Sequence, residues 1–504
     1  MQDPDLIIVG AGTAGLVLAN RLIQETNARV LLFEAGPQYP KWALDAPLAG
    51  LRLRKAWSWT TSTVPQKELG GRTIPIPMGR LAGGTSAVNA MIAAIGPSTD
   101  FDAWAKAGCT GWEWEELRPY WEKATLSKTQ RIMPVNPPTF VSDFSHAFLE
   151  GCQQEGCQKV ESLTGSQSET CGLFDLFQEN GKRISTAHAL KLLQLSNRFQ
   201  IRTGVEVLRI PLEGEKAVGV EVGGSRSKNI IRSRHGVVIS AGAFFSPQIL
   251  QRSGIGPASL LSSARLKVHV DLPGVGLNLQ DHFGAPVVIQ STTLSPGRKS
   301  QWISAALRYL FFGNGVMASN CCEAGCFLSG QRNSPDLETL SLFQTNRHPH
   351  AVELASILMH PNSKGTVTID PCNPSGPPII DPQYLTASGD ADLILEGVER
   401  IRSIVNQPAL RRFGLTTEIL PGSMKGRDFL RLHASTYHHP VGTCRMGSDD
   451  LAVVDPGLKV RGVSNLWLVD NSIIPAIPAA HTAATAIVIA EKAADLLKKD
   501  LSEV

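Results

Sequence analysis

Residues 435 to 447 read STYHHPVGTCRMG, and a further histidine, His481, stands in the alanine-rich stretch PAAHTAAT. An imidazole ionises near ~6.5, so at neutral pH it can accept a proton from a hydroxyl group. An alcohol gives up hydride from carbon readily only as that proton leaves. Histidines of this kind therefore suit proton exchange with a hydroxyl group, and would serve an alcohol's oxidation only if something takes the hydride. Pro440 restricts His439 to extended or polyproline backbone. Along an extended segment neighbouring side chains point to opposite faces, so one base is expected of His438 and His439, not two.

The hydride acceptor is implied by the other end of the chain. DLIIVGAGTAGLVLANRLIQETNARVLLFEAG begins with the apolar run Leu6 to Val9, the mark of a buried parallel strand. Gly10, Gly12 and Gly15 follow, then a helix with Leu16, Leu18, Leu22 and Ile23 on its apolar side, then a second strand from Val30 that ends at Glu34. The three glycines serve different ends. Gly10 makes the tight turn, Gly12 lets a pyrophosphate approach, and Gly15 lets helix and strand pack closely. The helix N-terminus offers free N–H groups to phosphates. Glu34 is placed to bind a ribose hydroxyl pair and would repel a 2′-phosphate. These residues predict a dinucleotide site and leave FAD and NAD both open.

A second glycine-rich turn, GRLAGGTSAVN at 79 to 89, and the segment GAFFSPQILQRSGIG at 242 to 256 resemble the two signatures of the glucose-methanol-choline oxidoreductase family. The similarity continues through DFDAWAKAGCTGWEWEELRPYW (100 to 121), RISTAHALKL (183 to 192), LPGVGLNLQDH (272 to 282), LMHPNSKGTVTI (358 to 369) and VDNSIIPAIPAAHTAATAIVIAEKAADLL (469 to 497). The resemblance implies FAD as cofactor and an α/β fold. A Rossmann-like FAD-binding domain assembled from discontinuous segments would stand beside an α+β substrate domain with an antiparallel sheet over the flavin. It also chooses between the paired histidines: the family's catalytic histidine lies three residues before the glycine of the GT pair, Gly442, which is His439. His438 is then a packing or supporting residue. His481 falls where the family places a second histidine or an asparagine. The implied reaction is hydride transfer from a small or medium alcohol to flavin N5, with His439 taking the hydroxyl proton and His481 holding the alcohol oxygen. The cofactor set that follows is Gly10, Gly12, Thr13, Ala14, Gly15, Glu34, Ala35, Arg80, Gly83, Gly84, Thr85, Ser86, Asn89, Ala90, Val207, Asp470, Asn471, His481 and Thr482.

Three departures carry expectations of their own. Ala82 replaces a larger aliphatic residue in the first signature and should loosen packing there. Members that bond flavin covalently carry histidine where this chain has Val88, so the FAD is expected to be non-covalent. In AMIAAIGPS, Ala93 and Ile95 replace an aromatic residue and an arginine, which points to a remodelled pocket wall near the flavin. That wall keeps a second reading open, a non-redox lyase or cyclase on the same scaffold. His282, in QDH, reads as a structural hydrogen-bonder.

Composition limits the rest. A length of 504 residues exceeds one ordinary hydrophobic core. The formal charge of +3 without a basic block gives no footprint for nucleic acid. No window of ~18 consecutive apolar residues suggests a membrane span. The acids near the N-terminus do not suit a signal peptide, and nine cysteines without a metal or disulfide spacing, CCEAGC included, read as structural thiols, so a cytoplasmic location is expected. The partners are a small alcohol and O2 or another electron acceptor. Motif positions divide the chain into an FAD-binding domain at 1–55, 76–125, 196–285 and 436–500, a substrate domain at 126–195 and 286–435, and an FAD-covering loop at 56–75, with VPQKELGGRTIPIP (64 to 77) at its turn-rich heart.

Overall fold

The runs Leu6–Val9 and Val30–Glu34 are buried along their whole length, as strands covered on both faces must be. They lie side by side in a five-stranded parallel sheet of order Leu466–Leu468, Gly236–Ile239, Leu6–Val9, Val30–Glu34, Phe199–Thr203. The computed structural model describes residues 3–224, 227–294, 299–330, 335–342 and 350–502. The helix Thr13–Glu25 crosses between the first two strands. Gly10 adopts φ +105, and a Cβ there would lie 2.4 Å from the Ser240 carbonyl oxygen. A Cβ on Gly15 would lie 2.0 Å from the Gly10 oxygen, so the close packing of helix on strand excludes any side chain.

The C-terminal helix Thr482–Ser502 packs along Thr13–Glu25. Between them Arg21 donates from Nε to Glu491 Oε2 (2.7 Å), with both side chains almost wholly buried. Burial raises the Glu491 carboxyl, and the Arg21 hydrogen bond opposes it.

An eight-stranded sheet forms the second half, in the order Leu415–Leu420, Phe283–Ser291, Ala351–Leu358, Pro335–Leu342, Ala324–Ser329, Thr170–Leu173, Gln158–Lys159; its neighbours are antiparallel except the last pair. The short strand Ser435–Thr436 pairs with the start of Phe283–Ser291 and delivers the chain directly into the paired histidines. The helix Asp390–Val405 packs on this sheet and buries Leu393, Ile394, Val398, Ile401 and Ile404. The stretch 61 to 76 is anchored here: Leu69, Ile74 and Ile76 are buried, the Val64 N–H donates to the Ile380 oxygen, and Arg72 donates to the Arg431 oxygen. None of the nine cysteines forms a disulfide, although the Cys157 and Cys326 sulfurs stand 3.4 Å apart.

Glu491→Ala strands a buried guanidinium, and a loss of about 3–5 kcal/mol in denaturant unfolding is expected. The double change Arg21→Met with Glu491→Leu is expected to recover most of it, because two apolar side chains strand no charge.

Candidate active site

Two cavities meet at the carboxyl ends of the parallel strands, where open α/β sheets take their ligands. The narrower, of about 100 Å³, is lined by Gly10, Glu34, Ala35 and Val207; the wider, of about 490 Å³, runs from Thr13 and Ala14 past Thr85, Ser86, Asn89 and Ala90 to Asp470, Asn471, His481 and Thr482. Gly12 and Gly84 line both. Three of the expected cofactor residues lie outside the walls. Gly15 makes the helix contact above, Gly83 turns with φ +99 against Ala187 and Ala87, and exposed Arg80 stacks 4.3 Å over the Trp59 ring. Trp59 is itself in the wall.

The slot has the chemistry of a dinucleotide site. The helix Thr13–Glu25 starts at Gly12 with no side-chain cap and no acid in its first turn, leaving its N–H groups for phosphate. A Cβ on Gly84 would lie 2.7 Å from the Gly12 Cα, so the two glycine turns touch without a side chain between them. Glu34 accepts from the Ala11 and Gly36 N–H groups (3.0 and 2.8 Å), which fixes its carboxylate at the strand end; burial raises its pKa against those two bonds. Asn89 Oδ1 accepts from Arg183 Nη1 and from the Met91 N–H, both at 3.0 Å, which turns the amide NH2 outward. Asn471 Oδ1 is buried and has no partner among the described residues, an acceptor suited to a ligand donor. Asp470, in contrast, spends its carboxylate on the Gly242 N–H, the Ser246 hydroxyl and the Ser472 N–H. These residues fit FAD.

At the far end of the wider cavity stand His438, His439 and His481. The extended backbone expected across the paired histidines is not found: His438 has φ +65, outside the region that alternation assumes, and both residues are among those that line the cavity. Thr436 and Asp281 hold that kink: Thr436 Oγ1 accepts from the His438 N–H at 2.8 Å, and Asp281 Oδ1 accepts from the His439 N–H at 2.7 Å. Asp281 also accepts from Thr436 Oγ1 and the Tyr384 hydroxyl. Burial pushes its carboxyl up to about 6 against those bonds. The wall expected to be remodelled at Ala93 and Ile95 is made instead by Ala90, Met91 and Ile92, with Ala93 and Ile95 buried behind it. Ala82 is wholly buried.

His439 Nδ1 lies 2.8 Å from His282 Nδ1, and His282 Nε2 lies 3.0 Å from the Met359 carbonyl oxygen. A carbonyl only accepts, so His282 carries its proton on Nε2. Burial, then the neighbouring His481 and His360, push His282 down to about 3, so it is neutral and offers a bare Nδ1. His439 must then donate from Nδ1. Burial and the surrounding histidines hold His439 well below its ordinary range, so its Nε2 is left as a lone pair. Hydrogen-bond roles assign this tautomer. The His481 ring stands 4.9 Å from that of His439, centroid to centroid and nearly perpendicular, and its Nε2 lies 3.0 Å from Oε1 of buried Glu338.

Sequence reasoning missed Glu338 and Asp281 and underrated His282. QDH carried a signal, a carboxylate beside an imidazole just before a strand; Glu338 carried none, as one of two acids within PDLETL. Behind His481, Asp100 accepts from the Ala479 N–H (2.7 Å) and from His360 Nε2 (3.1 Å), while His360 Nδ1 faces Asp336 at 3.4 Å. Burial opposes charge on His360, but the two aspartates outweigh it and raise the imidazole from 6.5 to about 9. The folded state thus holds a proton that the unfolded chain releases near 6.5. This contribution is complete below ~6.5 and is lost as the pH rises through about 9. The thermal midpoint should decline across that window, and more steeply in the wild type than in His360→Gln; equal slopes would refute the assignment.

Family models described as GMC oxidoreductase match residues 4–284 and 361–490. An alcohol dehydrogenase [acceptor] from Pseudomonas putida is 33% identical over 98% of this chain and 95% of its own. The mitochondrial choline dehydrogenase of Homo sapiens is 35% identical over 98% of this chain and 89% of its own. Among solved structures, a pyridoxine 4-oxidase from Mesorbium loti superposes with a TM-score of 0.88 at 29% identity over 99% of both chains. A fungal aryl-alcohol oxidase superposes at 0.87 with 25% identity, covering 100% of each. The glycine cradle, the two-sheet architecture and these matches agree: the chain belongs to the GMC oxidoreductase family and is an FAD-dependent enzyme that oxidises alcohols.

Proposed function

We propose that His439 is the base that removes the hydroxyl proton and that His481 holds the alcohol oxygen, in an enzyme acting on small or medium alcohols. The observation that carries this reading is the bare Nε2 of His439, set by the hydrogen bond to His282, on the wall of the cavity that begins at the glycine cradle. Bound FAD supplies the hydride acceptor. Thr13, Ala14, Asn89 and Asn471 would hold it, and the aliphatic Val88 side chain, also in the wall, has no nucleophile with which to bond it. The FAD is therefore non-covalent in this reading.

His439 accepts the proton on Nε2 while Nδ1 continues to donate to His282. A neutral base with a depressed pKa stays unprotonated well into mildly acid solution. His481, its Nε2 held 3.0 Å from Glu338 Oε1, is fixed in orientation to hold the oxygen on which negative charge develops. The electron acceptor is O2 or another oxidant. A reducing compartment such as the cytoplasm suits nine cysteines without a disulfide. The relatives named above are dehydrogenases and oxidases, and lend no support to a lyase or cyclase.

Anaerobic mixing of the holoenzyme with aromatic, aliphatic and amine-bearing alcohols is expected to bleach the flavin with at least one class, and repetition in air with peroxide detection identifies O2 as acceptor or excludes it. A panel that leaves the flavin yellow sinks the reading. His439→Ala is expected to slow bleaching by about 10²–10⁴-fold with FAD retained. His282→Leu, which removes only the partner of the base, should cost on the order of 10–100-fold, as supporting partners of positioned histidines do. Bleaching at the wild-type rate in His439→Ala would remove the base assignment and leave the family placement intact.

A further inference from the structure

The helix Lys299–Phe312 turns apolar side chains toward solvent. Ile303 is 63% exposed, Leu307 49%, Leu310 76%, Phe311 77% and Phe312 74%. Ile303, Leu307, Leu310 and Phe311 follow the i, i+4, i+7, i+8 spacing of a single helical stripe, the pattern a helix normally buries. The opposite side, with Trp302, Ala305, Ala306 and Tyr309, is half-buried on the protein. Tyr309 fixes it there by donating its hydroxyl to the Gly181 and Asp45 carbonyl oxygens at 3.2 and 3.4 Å. The helix is thus apolar on both sides, and only one side is covered by its own chain.

The sequence around the helix is free of acids: no aspartate or glutamate occurs between Asp281 and Glu323, and Arg308 stands within the helix. At the C-terminal end of the helix Gly313 lies against Gly181, so closely that a Cβ on Gly181 would fall 1.7 Å from the Gly313 oxygen. Lys182 follows directly and is exposed, as are Lys41 and Lys191. These three ammonium groups lie within one another's fields: burial first, then Lys191 and Lys182, hold Lys41 below its ordinary range, with Asp45 opposing. Asp45 is committed to the Tyr39 hydroxyl at 3.0 Å and faces His188 at 3.7 Å. Beside Lys191, Leu192 is 63% and Leu195 82% exposed.

We propose that this face docks on an anionic lipid surface, with the Ile303, Leu307, Leu310 and Phe311 stripe in the headgroup region and Lys41, Lys182 and Lys191 against lipid phosphates. An apolar stripe with exposed cations near the covered side of the same helix is a form that interfacial helices take. A symmetric contact between two copies would set the same basic rim against itself, which disfavours a dimer. The helix is 14 residues long, short of the ~20 that a bilayer span requires, and no helix among the described residues is long and apolar enough to cross a membrane. The enzyme therefore lies on the surface without entering it. The helix Pro47–Leu53, which contributes Leu51 to the wider cavity, packs on the Val316–Ala318 turn that follows the docking helix.

The test is co-sedimentation of the holoenzyme with vesicles of phosphatidylcholine alone and of equimolar phosphatidylcholine and phosphatidylglycerol. Binding to the anionic vesicles is expected, weaker by about tenfold or more without phosphatidylglycerol. The double variant Leu310→Ser with Phe311→Ser is expected to lower partitioning by a further ~10-fold, and Lys182→Glu with Lys191→Glu to abolish the preference for anionic lipid. An unchanged flavin spectrum and thermal midpoint would show that each variant is folded. The proposal is overturned if the wild type ignores both vesicles, if it binds both equally, or if the apolar double variant binds as the wild type does. It is equally overturned if the wild type is a dimer in solution that the apolar double variant splits, since the face is then a subunit contact.

Discussion

One hydrogen bond between two imidazoles decides the chemistry of this site. His282 and His439 meet Nδ1 to Nδ1 at 2.8 Å, and only one of the two nitrogens can hold the proton. The Met359 carbonyl settles which, because it obliges His282 to donate on its other side. The hydrogen bond therefore sets protonation as well as orientation. In the opposite tautomer His439 would offer the cavity an N–H and could not act as a base. A residue buried just before the strand Phe283–Ser291 thus sets which nitrogen of His439 carries the proton.

Charge is arranged around this pair with the same economy. Asp281 is close enough to hold the His439 backbone, yet its carboxylate is taken up by Thr436, Tyr384 and that N–H, and not by either ring. Glu338 instead pairs with His481, the residue proposed to hold the alcohol oxygen, and leaves the proposed base without a carboxylate. Two adjacent imidazoles thus have unlike partners, His282 for His439 and Glu338 for His481.

Much of this was legible in the sequence, and the reason differs from residue to residue. Gly10 and Gly15 could be read directly, because each answers a local steric demand that no other side chain meets, and the structure shows both demands. Glu34 was legible for a similar reason, as an acid at a strand end where the dinucleotide geometry asks for one. His438 was misread: the alternation argument needs extended backbone, and a turn held by Thr436 and Asp281 puts this residue in the left-handed region. Pro440 constrains only the residue before it, so His439 gave no warning about its neighbour. The pocket wall was misplaced for another reason, since substitutions at Ala93 and Ile95 change the layer behind the wall and not its surface. Glu338 and the His282 contact depend on strands far apart in the chain, and no spacing rule reaches across such distances.

The segment that carries His439 is stitched to both halves of the molecule. Its short strand belongs to the eight-stranded sheet through Phe283 and Gly284, and a few residues later the Gly442 N–H donates to the Asn471 oxygen on the dinucleotide side. The proposed base is consequently registered against two frameworks at once. Exchanging the half built on the eight-stranded sheet for that of a relative would carry the short strand ahead of His439 with it. The outer walls of the cavity can then be altered without moving that seam, which acts as a common datum for the residues on either side of it.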